Sequence, residues 1–170
     1  EAFARYLAET QAGHMDHLLT FASRAFRRPL TDEESQQFRK IYEQLRAKNQ
    51  HHEEALRGVL SGILVSPGFL YRIEEPLPGG QNGPVSDWEL ATRLSYLLWS
   101  TMPDDRLREL ASNASLTDPD QLVIQMRRMT QDDRIRGLAT EFACQWLHLR
   151  DFDQNDDKNE KLYPEFNEIL

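Results

Sequence analysis

The chain has 170 residues, of which 20 are Lys or Arg and 28 are Asp or Glu, so its net charge is −8; 39% of the residues are apolar and one is cysteine. That length suits one domain or two small packed ones, and that apolar content excludes a disordered chain. The lone Cys144 excludes an internal disulfide, a Cys-rich zinc site and the two-cysteine attachment of a c-type haem, and the acidic balance argues against a nucleic-acid partner. No membrane span is expected, because no apolar run approaches the roughly 18 residues that one needs. The longest, Val59–Val65, is interrupted by Ser61 and Gly62. The opening EAFAR has no charged-then-apolar leader, and a chain that begins on Glu is expected to be a piece of something longer.

Charge is unevenly spread. Residues 1–85 carry 10 basic and 11 acidic side chains, whereas residues 86–170 carry 10 and 17. The last twenty residues alone hold seven acidic and two basic groups, so a nearly balanced body precedes an acidic tail. A solvated surface segment is the preferred reading of that tail.

Helical spacing dominates the chain. Leu18, Ala22, Ala25 and Phe26 form a first stripe, which Pro29 ends. Thr31 and Glu34 read as a capping box that starts a second helix, whose Phe38, Ile41, Tyr42 and Leu45 fall at i, i+3, i+4 and i+7. A third helix is expected from about Glu53, with Leu56, Val59, Leu60, Ile63 and Leu64 inward. Its Gly58 and Gly62 share one face, and each costs about 1 kcal/mol relative to Ala, so another helix should approach closely there. Ser66, Pro67 and Gly68 break this helix, and Phe69, Leu70 and Ile73 continue its apolar surface.

The stretch Glu74–Val85 (EEPLPGGQNGPV) has three prolines and three glycines and reads as a linker. Beyond it Ser86 and Glu89 form a second capping box, and Leu90, Leu94, Leu97 and Leu98 should face inward. Pro103 and Asp104 introduce a short helix with Leu107 and Leu110. Asp118 and Pro119 start the next, with Leu122, Val123, Met126 and Met129. Thr130 and Asp133 resemble one more start, leading to Ile135, Leu138, Ala139, Phe142, Trp146 and Leu147. No alternating run of β-branched residues appears. The expectation is an all-α fold, an irregular bundle of about seven or eight helices in two consecutive segments. The first helical domain would span 1–76, the Pro/Gly linker 77–85, and the second helical domain, incomplete at its C-terminus, 86–170.

Four phrases carry a family resemblance: Phe21–Glu34 (FASRAFRRPLTDEE), Val59–Glu74 (VLSGILVSPGFLYRIE), Leu90–Leu107 (LATRLSYLLWSTMPDDRL) and Phe142–Leu147 (FACQWL). Together they resemble two adjacent planctomycete-specific helical domains of unknown function, with similarity from about His14 onward. Such domains occur in large exported bacterial proteins, often beside a cytochrome c domain and sometimes a carbohydrate-binding module. The resemblance implies an exported parent whose other domains are the partners of this segment. It carries over no catalytic residue. No cofactor is expected within the segment, and any haem would sit elsewhere in the parent.

The most specific local chemistry lies in the tail. Asp151, Asp153, Asn155, Asp157 and Asn159 fall at positions 1, 3, 5, 7 and 9 of an EF-hand-like loop, where calcium takes alternating oxygen donors. Asp156 stands where glycine should make the sharp turn, and Leu162 where a bidentate Glu should close the site. An acidic loop is therefore preferred over a calcium site. His14 and His17 are spaced for one helix face but lack a third ligand; His51 and His52 are read as preceding or capping the third helix, and His148 as lying at a helix end. Cys144 is expected to be a small buried thiol. Trp88, Trp99 and Trp146 read as core rather than as a sugar-stacking site. Arg27, Arg28, Arg72, Arg93 and Arg106 flank helix boundaries and are expected to tie helices together through carboxylates or terminal carbonyls.

These features favour a non-catalytic scaffold or interaction module over two alternatives, part of a redox or polysaccharide-related enzyme and a calcium-binding tail. Oligomeric state is not readable from the sequence. Leu162, Phe166, Ile169 and Leu170 would be exposed by truncation, so a dimer through them would be an artefact of cutting.

Overall fold

The computed structural model of the chain describes residues 2–74, 83–147 and 162. Among the described residues there are eight α-helices, one 3-10 turn and no strand. The first half holds α1 (Ala2–Ala25), α2 (Asp32–Ala47), α3 (His52–Val65) and the single turn α4 (Pro67–Leu70). The second holds α5 (Asp87–Trp99), α6 (Asp105–Ser112), α7 (Pro119–Thr130), the 3-10 turn Asp133–Ile135 and α8 (Arg136–Trp146).

Local hydrogen bonds set the helix starts. The Thr31 hydroxyl accepts from the Glu34 N–H at 3.2 Å, while the Glu34 carboxylate accepts from the Thr31 N–H at 2.9 Å. Ser86 and Glu89 repeat this arrangement ahead of α5. Before α3 the Glu54 carboxylate accepts from the His51 N–H at 3.0 Å, so the helix begins at His52, one residue ahead of the expected Glu53. Asp118 caps α7, with Pro119 in the first turn. The expected start at Thr130 moves. Thr130 closes α7, its hydroxyl donating to the Arg127 carbonyl, and Asp132 caps the 3-10 turn instead.

Each half has its own core. Met15, Ala22, Phe26, Phe38, Val59 and Ile63 gather in the first. Leu94, Leu98, Trp99, Leu107, Leu116 and Met129 gather in the second. Helices α2 and α3 lie side by side, and Gly58 permits the approach: a Cβ there would sit 2.5 Å from Leu45 Cδ1. Gly62 shows nothing within 4 Å, so the notch expected across both glycines forms only at Gly58. Because Gly62 costs helix propensity with no packing to offset it, Gly62→Ala should raise stability by about 1 kcal/mol. Gly58→Ala should fall short of that increase because Leu45 must move. Chemical denaturation of the two variants measures the difference. Later in the chain, Gly137 lets α8 cross the end of α5, where a Cβ would lie 3.0 Å from the Trp99 carbonyl oxygen.

Helical spacing over-counted the core. Leu97 is 59% exposed and Leu64, Val123 and Met126 are also on the surface, although each sits in an apolar stripe. Phe142, Trp146 and Leu147 on α8 are exposed as well, and no residue of α8 is buried. The cause is geometric: α8 meets α5 and the 3-10 turn, and its side beyond Leu138 has no helix laid over it among the described residues. Cys144 is accordingly half-buried rather than buried. No helix among the described residues is long and apolar enough to cross a membrane.

Candidate functional site

A cleft of about 740 Å³ opens where the two halves meet. Its walls come from the end of α1, the segment after α4, and the first two turns of α5. Four arginines predicted to tie helices, Arg27, Arg28, Arg72 and Arg93, line it. Arg27 adopts a left-handed backbone, φ 64°, directly after α1, which turns its buried side chain toward α4. Its guanidinium donates to the carbonyls of Ala25 (3.0 Å), Gly68 (2.8 Å), Phe69 (3.3 Å) and Tyr71 (2.7 Å). Arg28 forks onto Glu34, with both bonds at 2.9 Å, and this hydrogen bond leads the causes that hold the Glu34 carboxyl below its ordinary range. Arg93 on α5 forks onto Glu74, donating from Nε at 2.6 Å and from Nη2.

Tyr71, Arg72, Trp88 and Glu89 also line the cleft. Arg72 lies over the Tyr96 ring, 4.7 Å from its centroid, and Arg108 of α6 lies over Trp88 at 5.5 Å. Arg108 also reaches across to Ser23 on α1, and Arg24 pairs with Asp105 at 2.7 Å. Burial, with the nearby charge of Arg24, pulls Arg108 below the ordinary arginine value. Arg93 holds Glu74 below the usual carboxylate range by its hydrogen bonds, against the opposing effect of burial. Glu74 is thus ionised and paired at neutral pH and is a poor proton donor.

The other expected candidates scatter. Trp99 is buried in the second core, Trp88 lines the cleft, and Trp146 is exposed and stacked on Phe142 at 6.0 Å, so the three share no site. Among the described residues Arg106 makes only an exposed pair with Glu109 on its own helix, and so does not tie helices there as expected. His14 pairs with His52 of α3 rather than with His17. No group of three or more His, Cys, Asp or Glu side chains gathers around a metal position among the described residues. Asp151, Asp153, Asn155 and Asp157 lie outside the described residues, as do His148, Phe166, Ile169 and Leu170.

Sequence reasoning missed the polar girdle of the second core. Asp104 caps α6 through the Leu107 N–H at 3.0 Å and receives Arg128 at 2.7 Å, with Arg134 at 3.9 Å. Burial raises its carboxyl, but the Arg128 hydrogen bond, the Leu107 N–H and both arginine charges together outweigh it and hold the group below its ordinary value. The cap was legible in Asp104 itself; its partner 24 residues away was not.

Residues 85–170 match the family described as PSD4, protein of unknown function (DUF1592), a span just over half of the chain. The chain belongs to the PSD4 family. Residues 15–74 match a second family, PSD5, protein of unknown function (DUF1595). The PSD4 match thus takes in α5 to α8, and the PSD5 match takes in the later part of α1 and all of α2, α3 and α4. The cleft lies where the two matched regions meet. No curated protein and no solved structure matches the chain.

Proposed function

We propose that this chain is a non-catalytic helical module of a large exported bacterial protein, in which PSD5-like and PSD4-like halves are locked at a fixed angle to present the cleft to other domains of the same parent. One observation carries the reading. Three of the four arginines of the cleft are hydrogen-bonded to the protein itself, Arg27 to four carbonyls, Arg28 to Glu34 and Arg93 to Glu74, and the ties between the halves run from Arg93 to Glu74, Arg24 to Asp105 and Arg108 to Ser23. The Arg93–Glu74 pair fixes geometry more than it adds stability, because it is largely exposed and exposed pairs contribute about 0–1 kcal/mol.

Tyr71, 64% exposed, and Arg72 stand at the cleft edge as the docking residues. Titration calorimetry of the chain against the separately expressed neighbouring domains of its parent should show saturable binding. Tyr71→Ala combined with Arg72→Glu should weaken it by about tenfold or more. Binding to none of the neighbouring domains sinks the reading.

A further inference from the structure

Away from the cleft, three helices of the first half meet through side chains that titrate. His14 on α1, His52 at the start of α3 and Tyr42 on α2 form one chain of contacts. His14 Nδ1 lies 3.0 Å from His52 Nε2, and the Tyr42 hydroxyl lies 2.8 Å from His52 Nδ1. The rings pack at centroid distances of 5.3 Å and 5.8 Å. His52 is buried, and His14 is exposed. Beside them a gap of about 270 Å³ separates Gln11 and Met15 of α1 from Arg39, Tyr42 and Glu43 of α2. At this level α1 is therefore held by Met15, by the exposed Asp16–Arg39 pair and by the histidine contact.

We propose that the His14–His52–Tyr42 contact is a proton-operated latch, which holds the α1 segment around His14 against α2 and α3 at neutral pH and releases it in mild acid. The logic lies in proton counting. An imidazole–imidazole contact needs one nitrogen with a proton and one without. A singly protonated pair keeps that bond, and Tyr42 adjusts by accepting instead of donating. A doubly protonated pair sets N–H against N–H and charge against charge.

The surroundings oppose the second proton. His52 occupies the first turn of α3, where the positive end of the helix dipole disfavours a cation. Arg46 of α2 adds a further positive charge. Glu53 on α3 opposes it, while Glu54 is engaged with the His51 N–H. On α1 the Asp16 carboxylate is taken by Arg39. Burial first, then the charges of His14 and Arg46, hold His52 below its ordinary value of 6.5. With the folded value depressed, the unfolded or released segment takes the proton first. The stabilisation is complete above about pH 6.5 and is lost as pH falls through that value toward the folded one.

The test is amide hydrogen exchange of the 170-residue chain between about pH 7.5 and pH 5, corrected for intrinsic rates. Peptides covering residues 11–20 should exchange at least about tenfold faster at the acid end, while those in α5 to α8 hold constant. His14→Gln, at an exposed position, should abolish the pH response, and His17→Gln should leave it intact. An α1 segment with pH-independent exchange, a response that survives His14→Gln or is lost in His17→Gln, or an equal rise in both halves overturns the proposal.

Discussion

Arg27→Ala should destabilise the first half by about 3–5 kcal/mol, a large share of a domain's total stability. Among the described residues the guanidinium gathers the Ala25, Gly68, Phe69 and Tyr71 carbonyls together, so its loss removes a donor from four acceptors at once. Each hydrogen bond from a charged donor is worth roughly 1.5–3 kcal/mol, but the sum is not reached because the partly exposed Tyr71 end can rehydrate. Lysine should not rescue, since one compact ammonium cannot span the fan of acceptors that a planar fork reaches. Arg27→Gly separates backbone from side chain. Glycine relieves the left-handed φ of 64°, so it should be less destabilised than the alanine variant by about 1 kcal/mol. Urea unfolding followed by circular dichroism measures all three. An alanine variant within about 1 kcal/mol of wild type would show that the fan of bonds is dispensable.

Trp99→Ala should cost about 3–5 kcal/mol, and the loss should fall on the second half. The indole is 4% exposed, its N–H donates to the Met129 carbonyl at 3.0 Å, and Arg134 lies 3.5 Å from the ring centroid. Arg134 is itself aimed by Asp132, whose carboxyl it holds far below the ordinary range through its hydrogen bonds. Deleting the ring thus opens a cavity, strands a buried carbonyl and removes the surface on which two arginines rest. Trp99→Phe keeps most of the volume and loses the N–H, so about 1–2 kcal/mol is expected. Because the two cores are separate clusters, hydrogen exchange should show α5 to α8 losing protection while α1 to α4 retain it. Equal loss in both halves would mean that the polar ties across the cleft couple the halves more strongly than exposed pairs do.

The candidate sites were less legible than the helices. Arg27, Arg28, Arg72 and Arg93 all stand at helix boundaries; Arg27, Arg28 and Arg93 take carbonyls or carboxylates as expected, whereas Arg72 lies over the Tyr96 ring. Which acceptor each takes depends on chain separations of up to 44 residues. Arg106 followed the same local rule and, among the described residues, found only Glu109 on its own helix. His51 and His52 read from sequence as residues preceding or capping α3; His51 is its N-cap, whereas His52 is the first residue of the helix. The contact of His52 with His14, 38 residues away, needed the packing of α1 on α3.

What the sequence determined by itself is the set of helices and their starts. Thr31 with Glu34, Ser86 with Glu89, and Asp118 with Pro119 act within three residues, so these starts depend little on the rest of the chain, whereas the start expected at Thr130 moves to Asp132. The break at Ser66 and Pro67 is equally local. What only the tertiary structure decided is which face of each helix is covered. Leu94 and Leu97 stand on the same helix, yet Leu94 is buried and Leu97 is 59% exposed; Phe142 and Trp146 keep helical spacing and find no cover among the described residues. Spacing fixes the angle between side chains around an axis. The direction from which a neighbouring helix arrives is set by the packing of the whole, and that direction chooses core, cleft and latch.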